Sequence, residues 1–136
     1  MASDAPTFVN PQTLAKPPGY TQIVETPAHG RTVYVAGQVA WDANGQLVGP
    51  GDFTAQAEQV FKNLELALKD RGGDLSSLVK ITTYVLDVAN LLAFRHVRDR
   101  FIPPGPNVPA STLVQVSKLA RPEFLIEIEA VAWLPA

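Results

Sequence analysis

The sequence contains no cysteine, two histidines and one methionine in 136 residues. The absence of thiols removes disulfides and thiolate nucleophiles together, and two histidines without cysteine do not make an ordinary zinc site. No apolar run approaches the roughly 20 residues of a membrane helix, and Met1-Ala2-Ser3-Asp4-Ala5 has no basic region ahead of an apolar stretch. These readings predict a cytoplasmic protein without metal, cofactor or membrane partner. Positive charge is also scarce: 11 Lys and Arg stand against 13 Asp and Glu, for a net charge of −2. Nucleic-acid affinity rests on cations that displace counterions from phosphates, so no nucleic-acid partner is expected. The one basic cluster, Arg95, Arg98 and Arg100 around His96, is interrupted by Asp99 and reads as a solvated helix face.

What is present is ordinary for a globular chain: 46% hydrophobic and 18% charged residues, enough to build one core over residues 1–136. The 12 prolines punctuate the chain without dividing it, and the connection over 103–109 is too short for an interdomain linker.

Strands are expected over 22–25 and 31–36, forming a hairpin around Pro27-Ala28-His29-Gly30. Asn44-Gly45 suits a tight turn, so 46–48 is expected to pair back on 38–40. A first helix starts at Asp52 or Thr54, shows Ala57, Val60, Phe61, Leu64, Ala67 and Leu68 at helical spacing, and stops at Gly72-Gly73. Asp74 can cap a short turn through Leu78.

Residues 79–86 read as a central strand. Val79, Ile81, Thr83 and Val85 share one face, Lys80, Thr82, Tyr84 and Leu86 the other, and both faces are partly apolar. A second helix, capped by Asp87 or Asn90, carries the stripe Leu91, Phe94, Val97 and Phe101 before Pro103 ends it. Strands over 111–116 and 124–133 complete the order β-β-β-α-β-α-β-β. This predicts an α+β domain with two helices on one face of a sheet and the other face free for a partner.

Several separated segments carry a resemblance. Pro18-Gly19-Tyr20, Val35-Ala36-Gly37-Gln38-Val39, Gln56, Asn63, Leu78-Val79-Lys80-Ile81-Thr82-Thr83-Tyr84, Phe101, Pro109-Ala110 and Ile126-Glu127-Ile128-Glu129-Ala130-Val131-Ala132 are similar to the RidA/YjgF-like family, over about 19–133. The resemblance implies a fold like that of bacterial chorismate mutase. It also implies a homotrimer with a barrel-like core and ligand clefts between subunits. In the deaminase branch a Pro-Ala-Arg-Ser motif presents an arginine to the substrate carboxylate. Here the stretch reads Pro109-Ala110-Ser111-Thr112, and Ser111 supplies neither the charge nor the paired donors. Arg95 and Arg98 stand where that branch carries an Asn-x-x-Tyr pattern. Arg95 either points into the cleft and meets an anion, or is an exposed helical arginine.

By the same resemblance, Glu127 is the acid–base candidate that places water, Gly37 lines the pocket with its backbone, and Tyr20 closes over it. From the residues alone, Glu127 and Glu129 share one side of a strand and can equally pair with cations across a surface. Ser111 and Thr112 have no evident histidine base and no Gly-x-Ser-x-Gly turn, so covalent catalysis is not expected. Three functions follow in order. The first is a protein acting on an imine, enamine or related reactive metabolite, with a small carboxylate as a candidate ligand. The second is a non-catalytic small-ligand binder, and the third a ribonuclease.

Overall fold

The computed structural model describes residues 4–136. Its main sheet has four strands in the order β3-β6-β4-β5, where β3 is Arg31–Gln38, β4 Leu78–Val85, β5 Ala110–Gln115 and β6 Ile126–Leu134. β6 runs antiparallel to both β3 and β4, whereas β4 and β5 are parallel. A parallel pair needs a crossover, and the helix α2, Leu91–Phe101, supplies it. The longer helix α1, Phe53–Asp70, joins β3 to β4. Both helices pack on the same sheet face, giving the expected α+β architecture.

The core follows the predicted periodicities. Ala57, Val60, Phe61, Leu64 and Leu68 of α1 meet Phe94 and Val97 of α2 and Ile81, Val85, Ile126 and Ile128 of the sheet in one buried cluster. Phe61 stacks on Phe101 with centroids 5.4 Å apart. Asp52 is the α1 cap: its side chain accepts a hydrogen bond from Ala55 N at 3.1 Å. Gly72 (φ 90°) follows the helix, and Asp74 caps the 3₁₀ turn Leu75–Ser77. Asp87 caps a second 3₁₀ turn, Val88–Asn90, while Asn90 precedes α2 without a side-chain cap bond.

Two strand expectations are corrected. The segment 22–25 does not form a hairpin with 31–36. Its strand β2, Ile23–Glu25, pairs with β1, Thr7–Val9, in a separate two-stranded sheet. The reason is where the chain is anchored just before β2. Thr21 bridges Ala110 at the β5 edge, its N–H donating to Pro109 O and its hydroxyl to Val108 O. β3 lies at the opposite edge, three strand positions away, so β2 ends nowhere near it. The expected pairing of 46–48 shrinks to a bridge between Trp41 and Leu47, closed by Val48 N to Ala40 O. The order β-β-β-α-β-α-β-β is matched in its letters only, since β1, which was not predicted, replaces the expected strand over 46–48.

Gln56 and Asn63 use their amides to hold loops to α1. Gln56 is fully buried; its Nε2 donates to Gly49 O and Glu123 O, and its Oε1 accepts from Leu125 N. Asn63 Nδ2 donates to Val39 O and Trp41 O, fixing the chain just after β3.

Candidate functional site

The helix-free sheet face carries interacting polar side chains. Lys80, Thr82 and Tyr84 of β4 are half-buried there, among side chains that bond one another. Lys80 Nζ donates to Thr112 Oγ1 at 2.7 Å, and the Tyr84 hydroxyl donates to Glu129 Oε1 at 2.5 Å. That bond to Glu129 is the main reason the Tyr84 phenol sits above its ordinary value; the charges of Glu129 and then Glu127 add to it.

Glu127 belongs to this face, since it pairs in register with Tyr84. It also reaches β3, whose pairing with β6 is irregular between Val35 and Gln38. Gly37 lies inside that irregularity, and a β-carbon there would collide with Glu127 Oε2. The missing side chain is what lets the carboxylate lie against the β3 backbone. Beyond Gly37 the surface continues into a groove of about 440 Å³ that includes Trp41, Asn63 and Leu66.

Tyr20, Arg95 and Ser111 gather elsewhere. They line a recess of about 280 Å³ between α2, the start of β5 and the segment before Thr21, with Leu91, Phe94 and Leu113 as its apolar part. Ser111 pairs with Ile81, a core residue, and so faces the helices. Ser111 and Glu127 therefore project from opposite faces of the sheet. Within one chain the candidates form two groups, Tyr20–Arg95–Ser111 and Gly37–Glu127, which do not meet. A larger hollow of about 520 Å³ beside Pro103 and Val108 includes none of them.

Arg98 joins the first group and was missed as part of a solvated face. Its side chain is only 11% exposed, and its Nε and Nη2 both lie 3.0 Å from Asp99 Oδ1. Gly19 (φ 93°) makes room for it: a β-carbon there would stand 2.6 Å from Arg98 Nη2. The available signal was spacing, because Arg98 falls four residues after Phe94 on the apolar stripe side. Arg100 does match the solvated reading, being exposed and paired with Glu58. Among the described residues no cluster of His, Asp or Glu is arranged to hold a metal ion, and no helix is long and apolar enough to cross a membrane.

These features define a class: an α+β domain with both helices on one sheet face, a polar second face, and candidate groups divided between the two. The chain belongs to the RidA/YjgF family, whose model, described as endoribonuclease L-PSP, matches residues 11–134. A RutC family protein of Pyrococcus abyssi is 32% identical over 119 residues, spanning 87% of this chain and 89% of its own length. The 2-iminobutanoate/2-iminopropanoate deaminase of Rattus norvegicus is 37% identical over 103 residues, or 75% of this chain and 72% of that protein. Among solved structures, a Rid-family protein of unknown function from Yersinia pestis superposes with a TM-score of 0.83 at 40% identity, covering 95% of this chain and 98% of the other.

Proposed function

We propose that the protein hydrolyses a small imine or enamine in clefts formed between subunits of a homotrimer. The observation that carries this reading is the Gly37–Glu127 contact, which holds a carboxylate against open strand backbone. The two groups of candidates lie on opposite faces of one chain, so a cleft containing both takes one group from each of two neighbours. In the reaction, water adds to the C=N carbon while Glu127 accepts its proton. Glu127 passes that proton to nitrogen, giving a carbinolamine, then takes the carbinolamine hydroxyl proton and delivers it to the same nitrogen as the C–N bond breaks, leaving a carbonyl and ammonia. Gly37 supplies close backbone approach and Tyr20 covers the bound molecule.

The relatives named as deaminases suggest 2-imino acids as first test substrates. Turnover of these is expected to be slow, because the Ser111 hydroxyl offers one neutral donor in place of a two-pronged cation. Ammonia release from freshly generated 2-iminopropanoate and 2-iminobutanoate decides, measured against buffer and an arginine-bearing family member. The parent should exceed buffer, fall well below the arginine-bearing protein, and drop to buffer in Glu127→Gln. Parent activity that survives Glu127→Gln would remove Glu127 from the mechanism. No release above buffer from any imine or enamine would favour the second reading, a non-catalytic binder, which the missing strand arginine already supports.

A further inference from the structure

The chain leading into β2 runs along the rim of the recess and is held there at two points. Downstream, Thr21 donates its N–H to Pro109 O and its hydroxyl to Val108 O. Upstream, the guanidinium of Arg98 abuts Gly19, where a β-carbon would stand 2.6 Å from Nη2 and 3.2 Å from Cζ. Tyr20 lies between these points, half-buried and part of the recess wall. Its backbone is thus set by one strand-edge contact and one arginine. Arg98 is itself held on several sides: Asp99 Oδ1 lies 3.0 Å from both Nε and Nη2, the Phe94 ring is 6.0 Å from Cζ, and the side chain is only 11% exposed. A planar guanidinium fixed along one edge keeps little freedom, whereas a lysine places a point charge on a flexible stem and has no flat edge to lay against Gly19.

We infer that Arg98 is a positioning residue: through Gly19 it holds Tyr20 in the recess wall, and by doing so it sets how tightly the cleft retains its ligand. The first step rests on geometry alone, and the second on the proposed reading in which Tyr20 covers the bound molecule. The chain on the other side of the contact is built to pass a displacement on. Pro17 and Pro18 have fixed φ, and Gly19 (φ 93°) closes a turn by donating its N–H to Pro17 O. A shift at Gly19 is therefore absorbed downstream, at Tyr20, before it reaches the anchored Thr21. Asp99 binds Arg98 from outside the recess wall. Removing its carboxylate frees the arginine while leaving every residue that lines the recess in place, which separates positioning from direct contact with a ligand.

Peptide-resolved hydrogen exchange on the purified full-length protein reads the segment directly, with Arg98→Lys, Arg98→Ala and Asp99→Ala set against the parent. Backbone amides of residues 19–22 should exchange at least about tenfold faster in all three, a local opening, while those of α1 and β4 keep the parental rate. With freshly generated 2-iminobutanoate, Arg98→Lys and Asp99→Ala should raise KM about fivefold or more with kcat within about twofold, since a loosened cover weakens binding before it touches the addition of water. Adding Arg98→Lys to Tyr20→Ala should raise KM no further, because the residue being positioned is already gone. Parental exchange over 19–22 in Arg98→Ala and Asp99→Ala would overturn the inference whatever the kinetics show. So would exchange that quickens equally throughout the chain, which is general destabilisation. A KM that rises in Arg98→Ala but stays parental in Arg98→Lys would make Arg98 a charge contact for the ligand and overturn the positioning role. Faster exchange with a parental KM would overturn the step from Tyr20 to binding. A parent without turnover would remove the hydrolytic reading alone, and the exchange rates would still decide what holds Tyr20.

Discussion

At the scale of single residues, the most informative contact is the one between a side chain and the absence of another. Gly37 has no unusual φ among the glycines that do, so its backbone would accept alanine. Only space forbids it, because the added methyl would occupy the position of the Glu127 carboxylate. Gly37→Ala therefore acts as a displacement of Glu127 and leaves the charge of the site intact. We expect it to reduce imine hydrolysis to the level of Glu127→Gln while shifting the thermal midpoint by only a few degrees, since both residues lie outside the buried core. Activity and differential scanning fluorimetry on the two variants check this. Full activity in Gly37→Ala would mean that the position of the Glu127 carboxylate does not matter to the reaction. Arg98 shows the opposite case, a cation buried against a glycine. Charge patterning placed it in solvent because that reasoning weighs sign and not the Leu91–Phe94 stripe on which it lies.

At the scale of elements, the helices and β4 were legible because each repeats one period over two turns or more. Phe61, Leu64 and Leu68, or Ile81, Thr83 and Val85, declare their faces without outside help. β2 was legible as a strand but not in its partner, since three residues of Ile, Val and Glu carry no record of which edge they meet. That choice was made by Thr21 docking on Pro109, 88 positions away, a contact that local pattern cannot contain. The same limit applied to the site: Ser111 and Glu127 emerged from resemblance, whereas their opposite faces emerged only from strand register. Gln56 illustrates how elements are then joined. Its amide bonds two loop carbonyls and one loop N–H, and truncation orphans Glu123 O and Leu125 N, while Gly49 O keeps its bond from Asp52 N. Gln56→Ala should cost at least about 2 kcal/mol, from unsatisfied buried groups together with the cavity. Urea denaturation should show a lowered midpoint at unchanged slope; a loss below about 0.5 kcal/mol would indicate that water replaces the amide.

At the scale of the whole molecule, the question is what covers the helix-free sheet face. The sequence reading of this face as only partly apolar agrees with the mixed surface the structure shows. Its polar groups are largely matched among themselves, Lys80 with Thr112 and Tyr84 with Glu129, which lowers the cost of taking them out of water. Beside them Tyr34 is 78% exposed and Val114 40%, apolar surface that the single chain leaves open. Tyr34 is therefore the residue to change. Being mostly exposed, it contributes little to the fold of one chain, but it would be buried if the face closes into the proposed trimer. Light scattering of the parent at micromolar concentration should give about three times the 14.7 kDa chain mass. Tyr34→Glu, which brings a charge to the contact without touching the core, should give the mass of a single chain with unaltered far-ultraviolet circular dichroism. Because each proposed cleft takes its two groups of residues from different chains, that monomer should also lose imine hydrolysis with Glu127 and Ser111 both intact. A monomeric parent would reject the trimer and the shared cleft together, whereas a monomeric but fully active Tyr34→Glu would place the chemistry within one chain.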